Sequence, residues 1–215
     1  VGQSAQLKQA LSSIQIQAQY DAPVLITGET GTGKELAARG LHYCGDRAGY
    51  PFVAVNCATL TTELFSSELF GHKRGAFTDA RQEKRGLLVE ADKGTLSLDE
   101  IDSLSLTSQA SLLRFLQESE FRPVGSEKTF TSSARLIASS NCDLLQRVEQ
   151  GLFRRDLYHR LYILAVHMPP LRQRRQDIPL LISHFLNQFA SQYQMPAKSV
   201  TPALISQLVS LPWPG

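Results

Sequence analysis

The feature that most constrains this chain is the segment 23–35, which reads Pro-Val-Leu-Ile-Thr-Gly-Glu-Thr-Gly-Thr-Gly-Lys-Glu. An apolar, β-branched run leads into glycines and then a lysine. This order predicts a strand, a phosphate-binding loop and the start of a helix. Gly28 and Gly33 permit backbone angles that a Cβ would forbid, so successive N–H groups can turn inward around a phosphate chain. The positive end of the following helix points at the same place, and Lys34 is expected to reach the β- and γ-phosphates.

The whole loop is therefore predicted to bind a nucleotide. Its residues are Gly28, Glu29, Thr30, Gly31, Thr32, Gly33, Lys34 and Glu35. Glu35 stands where Ser or Thr usually supplies a hydroxyl to magnesium, so the metal would rely more on water and on a carboxylate elsewhere in the chain. The alternative is a glycine-rich turn with an incidental lysine, which the strand pattern before it and the helix pattern after it disfavour.

Length and composition are those of an ordinary globular protein, with 215 residues, 42% hydrophobic and 20% charged. The net charge of +2 argues neither for nor against a nucleic-acid partner. No apolar run approaches the roughly 20 residues that span a bilayer, so we expect no membrane partner and a cytoplasmic location. Three scattered cysteines suit neither a disulfide framework nor a zinc site. The ends of the chain suggest a fragment of a longer protein.

Strand-like and helix-like segments alternate along the chain, which predicts an α/β fold with a parallel five-stranded sheet flanked by helices. Polar residues close four of the predicted strands, namely Thr27, Asn56, Asp99-Glu100 and Ser140-Asn141. A fifth strand is predicted over residues 161–166. Because parallel sheets bind ligands at the carboxyl ends of their strands, these polar residues are expected to meet.

Helical patterns open and close the chain. Leu7, Leu11 and Ile14 lie at helical spacing, and residues 71–80 are expected to form an exposed loop. From about residue 171 the pattern is helical only, so residues 1–170 are predicted to form the nucleotide-binding subdomain and 171–215 the start of a truncated helical lid. An apolar stripe marks the first lid helix, formed by Ile178, Leu181, Ile182, Phe185, Leu186 and Phe189.

Two carboxylates follow the third predicted strand. Asp99 would hold Mg2+, directly or through water, next to the β- and γ-phosphates. Glu100 would polarise the water that attacks the γ-phosphate. The alternative is an exposed acidic helix cap, which the preceding phosphate loop and strand disfavour. Ser140 and Asn141 could contact the γ-phosphate or its water, or could form a polar turn.

Residues 153–161 are dense in arginine. On its own such a run is most often a solvated face. Arginines that reach across a subunit boundary can, however, speed phosphoryl transfer by about 10³ to 10⁵. Arg154 and Arg160 are the candidates, and both could face one interface from a short helix and turn.

These motifs, in this order, resemble the central AAA+ ATPase domain of bacterial enhancer-binding proteins, the activators of sigma-54 RNA polymerase. The matching segments are 28–35, including the unusual Glu after Lys, 94–101 with Ser97 in an apolar position, 135–141, and 153–161. The resemblance implies an AAA+ P-loop NTPase that binds ATP and Mg2+ and forms a ring of six or seven subunits. It implies that Arg154 and Arg160 act in trans, and that Asn56 restrains Glu100 by a hydrogen bond. It places any DNA contact in domains outside this chain.

The family's most distinctive loop reads Gly-Ala-Phe-Thr-Gly-Ala and touches sigma-54. Here it is Gly75-Ala76-Phe77-Thr78-Asp79-Ala80, so the aromatic and the threonine match while Asp79 replaces a glycine. Where the backbone needs a positive φ, Asp costs about 1 kcal/mol more than Gly. The family's second sensor arginine lies just beyond a Trp-Pro-Gly like residues 213–215, so we expect this fragment to be impaired in ATP turnover or assembly.

Two functions remain open at this stage. The first is a ring-forming ATPase that moves the Phe77 loop to remodel sigma-54 promoter complexes. The second is a regulatory module that binds nucleotide and oligomerises but no longer engages sigma-54. Phe77 and Thr78 favour the first, and Asp79 favours the second. A P-loop kinase or metabolite phosphotransferase is disfavoured, because it would need neither the arginine segment nor an exposed Phe-Thr loop.

Overall fold

The computed structural model describes residues 1–77, 80–196 and 198–214. Its strands, in chain order, are β1 (Val24–Thr27), β2 (Phe52–Asn56), β3 (Gly71–His72), β4 (Lys84–Arg85), β5 (Thr95–Asp99), β6 (Glu120–Phe121), β7 (Phe130–Thr131), β8 (Arg135–Ser140) and β9 (Leu164–His167). Its helices are α1 (Ala5–Ala18), α2 (Lys34–Tyr43), α3 (Thr62–Phe70), α4 (Leu87–Glu90), α5 (Leu106–Glu118), α6 (Leu144–Glu149), α7 (Arg155–Leu161), α8 (Ile178–Gln192) and α9 (Pro202–Ser210). Across these described ranges, no helix has both the length and the apolar character that crossing a membrane requires.

Five strands form one sheet in the order β2-β5-β8-β1-β9, with every neighbouring pair parallel. This confirms the predicted α/β class. All residues of β8 are buried, as a parallel sheet covered on both faces requires. The register pairs Asn56 with Asp99 and Thr27 with Ser140, so the polar strand ends lie along one edge of the sheet.

Successive side chains of β1 enter two different cores, because neighbouring strand residues point to opposite faces. Val24 and Ile26 pack with apolar residues of α1 and α2 on one face of the sheet. Leu25 packs on the other face, in the larger core built from α3, α5, α6 and α7. The two cores hold β1 rigidly on both sides, which fixes the point from which the glycine loop leaves the sheet.

Two antiparallel ribbons, which the sequence patterns did not predict, stand beside the sheet. β3 pairs with β4, so the expected exposed loop begins as a strand, and β6 pairs with β7. Val124 joins the ribbons, since its N–H donates to the Gly71 carbonyl at 2.9 Å and its carbonyl accepts from the Lys73 N–H at 3.0 Å. Gly125 has a φ of +75°, and a Cβ there would lie 2.8 Å from the Ala76 Cβ. The ribbons are therefore in close contact.

Two boundary predictions, those at Leu161 and Glu100, were wrong, whereas Leu7, Leu11 and Ile14 lie in α1 as predicted. Leu161 ends α7 with its side chain fully buried, and the fifth strand begins only at Leu164. Leu11 is 46% exposed, because the buried face of α1 passes through Ala10 instead. Glu100 is not part of the third strand, since its φ of 54° and ψ of 48° place it in the left-handed region.

The last two helices follow the predicted pattern in part. Pro179 lies in the first turn of α8, and the Thr201 hydroxyl caps α9 by accepting a hydrogen bond from the Leu204 N–H at 3.3 Å. The apolar stripe of α8 is only partly covered. Ile178 is buried, whereas Phe185 and Phe189 are 48% and 50% exposed.

Candidate functional site

The glycine loop between β1 and α2 adopts the backbone that the sequence predicts. Gly28 has a φ of +152°, and a Cβ there would lie 2.7 Å from the Met168 carbonyl oxygen. Gly33 precedes α2 with a φ of +98°. Residues other than glycine rarely adopt these backbone angles, so both positions depend on glycine. The loop thus stands at the carboxyl edge of the sheet, where the polar strand ends meet.

Lys34 is the centre of a hydrogen-bond network at this edge. Its ammonium donates to the carbonyl oxygens of Gly28 at 2.8 Å and Glu29 at 3.0 Å, and also to the side-chain oxygen of Asn141. The residue is only 7% exposed, and this burial lowers the pKa of Lys34. Attraction to three carboxylates opposes the shift, those of Asp99, Glu100 and Asp102. The ammonium is therefore a buried cation with several acceptors around it.

Asn141 connects Lys34 to Glu100. Its Oδ1 accepts from the Lys34 ammonium, while its Nδ2 donates to Glu100 Oε1 at 3.0 Å. One carboxamide thereby links the phosphate loop to the carboxylate at the end of β5. A change in the position of Lys34 is transmitted directly to the group that orients Glu100.

Asp99 and Glu100 are held by the backbone as well as by side chains. Asp99 Oδ1 accepts a hydrogen bond from the Glu100 N–H at 3.1 Å and another from the Ser139 hydroxyl. Glu100 occupies the left-handed region, which is uncommon for a residue with a Cβ and is frequent at functional sites. The two neighbouring carboxylates therefore have different partners, Ser139 for Asp99 and Asn141 for Glu100.

The contacts of Asn56 and Ser140 differ from those expected. The side-chain oxygen of Asn56 accepts from the Ala58 N–H at 2.8 Å, and the amide that bonds Glu100 is that of Asn141. The Ser140 hydroxyl is fully buried and donates to Asp102 Oδ1 at 2.8 Å, so it does not face a phosphate. Glu35 lines a cleft together with Lys34 and Asp99, and it pairs with Arg39 at 2.9 Å, one helical turn away.

Two clefts open at this edge. One of about 230 Å³ is lined by Lys34, Asn56, Asp99 and Ser139 among others. Another of about 390 Å³ lies beside Gly28 and Asn141, on the side of α6 and α7. In the described part of the chain, no group of three or more His, Cys, Asp or Glu side chains is arranged to hold a metal ion.

A hard cation nevertheless fits the donor set at Asp99. Oδ1 of Asp99 accepts the hydrogen bonds from Glu100 and Ser139, whereas Oδ2 accepts none from the described residues. Mg2+ is typically held by one or two carboxylates together with phosphate oxygens and water. A single carboxylate with one uncommitted oxygen, facing a phosphate loop, satisfies that requirement.

Arg154 and Arg160 lie at opposite ends of α7. Arg154 precedes the helix and pairs with Asp156 at 2.8 Å, while the Arg160 guanidinium donates to the Leu116 carbonyl at 2.9 and 3.2 Å. Both arginines are exposed. The buried amide of Gln109 fixes the turn before the helix by accepting from the Arg154 N–H at 2.8 Å. The exposed Arg154–Asp156 ion pair contributes about 0–1 kcal/mol, so the Arg154 guanidinium can change partner at little cost.

The Phe77 loop is closed at its base by backbone hydrogen bonds. The Gly75 N–H donates to the Ala80 carbonyl at 2.8 Å, and the Ala80 N–H donates to the Phe77 carbonyl at 2.9 Å. Ala80 is buried, while Ala76 between them is half-buried. Phe77 is 43% exposed, and its ring meets the His72 ring edge-on at 4.9 Å. The predicted contact residues Thr78 and Asp79 lie outside the described residues.

Four residues that contact the site were not predicted from the sequence. Ser139 and Asp102 contact the predicted residues Asp99 and Ser140, but nothing in their spacing indicates it. Gln109 was missed because a glutamine inside a helix is usually solvent-exposed. Arg172 contacts Glu29 across 143 residues, a separation that no local pattern reveals.

Comparison with known proteins relates the chain to two families of protein domain and to several longer regulatory proteins. The sigma-54 interaction domain family matches residues 1–167, and the AAA+ ATPase lid domain family matches residues 172–215. Transcriptional regulatory protein ZraR of Salmonella typhimurium is 49% identical over 215 residues, which are 100% of this chain and 49% of that protein. Regulatory protein AtoC of Escherichia coli is 50% identical over 194 residues, 90% of this chain and 42% of AtoC. The chain spans about half the length of the curated relatives it matches.

Solved structures agree with the sequence comparison. NtrX from Brucella abortus, crystallised in complex with ATP, has a TM-score of 0.93 and 37% identity, covering 100% of this chain and 49% of that one. The P-loop NTPase domain of a sigma-54 activator from E. coli is similar in fold, with a TM-score of 0.52 and 24% identity over 80% of this chain and 99% of that one.

Proposed function

This chain belongs to the sigma-54 interaction domain family, and on that premise we propose that it is the ATP-hydrolysing AAA+ domain of a bacterial transcriptional activator. In this proposal it remodels closed complexes of sigma-54 RNA polymerase into open complexes. The domain works in the cytoplasm as a homo-oligomeric ring of six or seven copies, and contacts DNA only through domains outside this chain.

The observation that carries the proposal is the hydrogen-bond path from Lys34 through Asn141 to Glu100. An ammonium inside a glycine loop is suited to the β- and γ-phosphates of ATP. A carboxylate reached from that ammonium through a single carboxamide is suited to orient water at the γ-phosphate. The ATP complex of NtrX, a protein of similar fold, supports the choice of nucleotide.

Each residue has a defined task in hydrolysis. When nucleotide binds, the Lys34 ammonium leaves the carbonyl oxygens of Gly28 and Glu29 and turns to the phosphate oxygens. The negative phosphates then stabilise its charge in place of those carbonyls. Glu100 accepts the proton of the attacking water while Asn141 holds its carboxylate. Asp99 would hold Mg2+ through its uncommitted oxygen, and the ion would supply charge neutralisation at the β- and γ-phosphates.

The arginines of α7 complete the site of a neighbouring subunit. Arg154 and Arg160 are both exposed, and each contacts only groups of its own chain that are weak competitors for a phosphate. We infer that they act in trans on the γ-phosphate and on the subunit boundary, respectively. Their positions at opposite ends of α7 suit two different contacts better than one shared contact.

The Phe77 loop is the sigma-54 contact in this proposal. Gly75, Ala76, Phe77 and Ala80 form a closed turn on the β3–β4 ribbon, with the aromatic ring accessible. Asp79, which replaces a glycine of the family loop, favours the competing function. In that function the domain is a regulatory module that binds nucleotide without engaging sigma-54.

Replacing Glu100 with Gln separates binding from hydrolysis. We expect Glu100→Gln to bind ATP normally and to lose about 10² to 10⁴ in turnover, because the amide cannot accept the water's proton. Lys34→Ala, in contrast, should lose productive nucleotide binding. ATPase rates and equilibrium binding of a fluorescent ATP analogue measure both effects, and retained hydrolysis by Glu100→Gln would remove Glu100 from this role.

Asn141→Ala tests the path between the loop and the carboxylate. We expect turnover to fall about 10²-fold through misplacement of Glu100. Asn56→Ala is the matched control, because it removes a carboxamide from the neighbouring strand end that contacts Ala58. Steady-state kinetics of the two variants show which of the two asparagines positions Glu100. A larger loss for Asn56→Ala would return the restraint of Glu100 to Asn56, as the family resemblance implies.

Mixing experiments test the trans arginines. Arg154→Ala and Arg160→Ala should each lose hydrolysis, by up to about 10³ to 10⁵ for the arginine at the phosphate. Adding Lys34→Ala subunits, which bring intact arginines, should partly restore activity. Arg155→Ala, an exposed neighbour in the same segment, is the control and should retain activity. Absence of rescue while rings still form would contradict a trans role.

Sigma-54 binding tests the partner. In ADP with a metal fluoride that mimics the γ-phosphate, we expect the native protein to bind sigma-54 and Phe77→Ala to lose binding. Tyr50→Ala, which removes an aromatic ring that is 50% exposed elsewhere, should bind normally. Binding by Asp79→Gly alone would instead favour the regulatory module.

A further inference from the structure

The segment that follows the last strand of the sheet contacts the phosphate loop. This segment, residues 171–177, consists of two short 3-10 turns, Leu171–Gln173 and Arg175–Asp177, and leads into α8. Two of its arginines, Arg172 and Arg174, reach the loop. It therefore joins the helical end of the chain to the loop that we propose binds the phosphates.

Arg172 makes a two-point contact with Glu29. Its NH1 donates to Glu29 Oε2 and its NH2 to Oε1, the geometry in which a guanidinium and a carboxylate match best. The hydrogen bond from Arg172 lowers the pKa of Glu29. The same residue, Glu29, presents its carbonyl oxygen to Lys34. The loop is thus held from both sides at one position.

Arg174 contacts the loop three residues further on. It is 9% exposed, and its NH2 donates to the Thr32 carbonyl at 3.1 Å. Its buried Nε has no hydrogen-bond partner among the described residues. Burial lowers the pKa of Arg174, which reflects the cost of placing this guanidinium under the loop. Such a cost is characteristic of functional positions rather than of stabilising ones.

The segment itself is anchored away from the loop. Asp177 is fully buried and accepts hydrogen bonds from the Gln3 N–H at 2.6 Å, the Ser4 N–H at 2.8 Å and the Ser4 hydroxyl at 2.6 Å. This carboxylate fixes the segment to the start of α1. Arg172 and Arg174 therefore lie on a segment whose far end is fixed to the start of α1, and the placement of this segment decides whether they reach the loop.

We propose that Arg172 and Arg174 are positioning residues for the phosphate loop, and that the Glu29–Arg172 pair makes nucleotide affinity depend on the placement of the helical segment. The proposal rests on the nucleotide-binding function proposed above. A loop held in its binding shape loses less conformational freedom when the ligand arrives, and so binds more tightly. Releasing Glu29 returns that freedom to the loop.

This role is separable from ordinary stabilisation. Both partners of the Glu29–Arg172 pair are 39% exposed at the side chain, and exposed pairs contribute little to the stability of the fold. Breaking the pair should therefore weaken nucleotide binding while the melting temperature hardly changes. A merely structural pair would instead change melting in parallel with binding, or change neither.

The test is a double-mutant cycle on nucleotide affinity, measured in the full chain with a fluorescent ADP derivative. We expect Glu29→Ala and Arg172→Ala each to bind roughly five- to ten-fold more weakly, and the double variant to bind no more weakly than either. Exchanging the charges in Glu29→Arg with Arg172→Glu should restore part of the affinity. Arg175→Ala is the matched control, since the side chain of this neighbouring arginine is exposed and makes no hydrogen bond or ion pair with the described residues.

The outcomes separate the two proposals. If the wild type binds nucleotide and Lys34→Ala does not, the nucleotide site is supported. If Arg172→Ala then binds as tightly as the wild type, only the positioning role of the Glu29–Arg172 pair is overturned. Additive losses in the double variant also overturn it. A wild-type chain that binds no nucleotide overturns both. Arg172→Lys keeps the charge without the two-point contact, so it should fall between wild type and Arg172→Ala.

Discussion

The Lys34 ammonium is the group on which the site depends. A cation that is 7% exposed requires acceptors, and the loop supplies the carbonyls of Gly28 and Glu29 while Asn141 supplies its amide oxygen. The amide nitrogen of Asn141 in turn donates a hydrogen bond to Glu100. Glu100 is consequently oriented through the same cation that is suited to the phosphates. In the proposed function, two hydrogen bonds would thus link nucleotide binding to hydrolysis.

The parallel sheet explains why much of this could be predicted from sequence. Because all five strands run parallel, the polar residues at their carboxyl ends share one edge of the sheet. The loop at Lys34 and the carboxylates at Asp99 and Glu100 follow from that rule without any contact information. Gly28 and Gly33 follow from the backbone angles that the loop needs.

The errors have a common origin in contacts between distant parts of the chain. Asn56 and Asn141 both end strands, and only the packed structure shows that Asn141 reaches Glu100. Ser140 was expected at the phosphates, but burial directs its hydroxyl to Asp102. Leu161 has the apolar character of a strand residue, yet it completes the core under α7. The Glu29–Arg172 contact, across 143 residues, has no signature in either local sequence.

The most direct measurement is a crystal structure of the protein with ADP, Mg2+ and a metal fluoride in place of the γ-phosphate. We expect Lys34 Nζ to have exchanged the Gly28 and Glu29 carbonyl oxygens for the fluoride, with Glu100 facing it and still bonded to Asn141. If Lys34 remains on both carbonyls while the nucleotide is bound, or if the fluoride lies away from Asn141 and Glu100, the proposed coupling of binding to hydrolysis is contradicted.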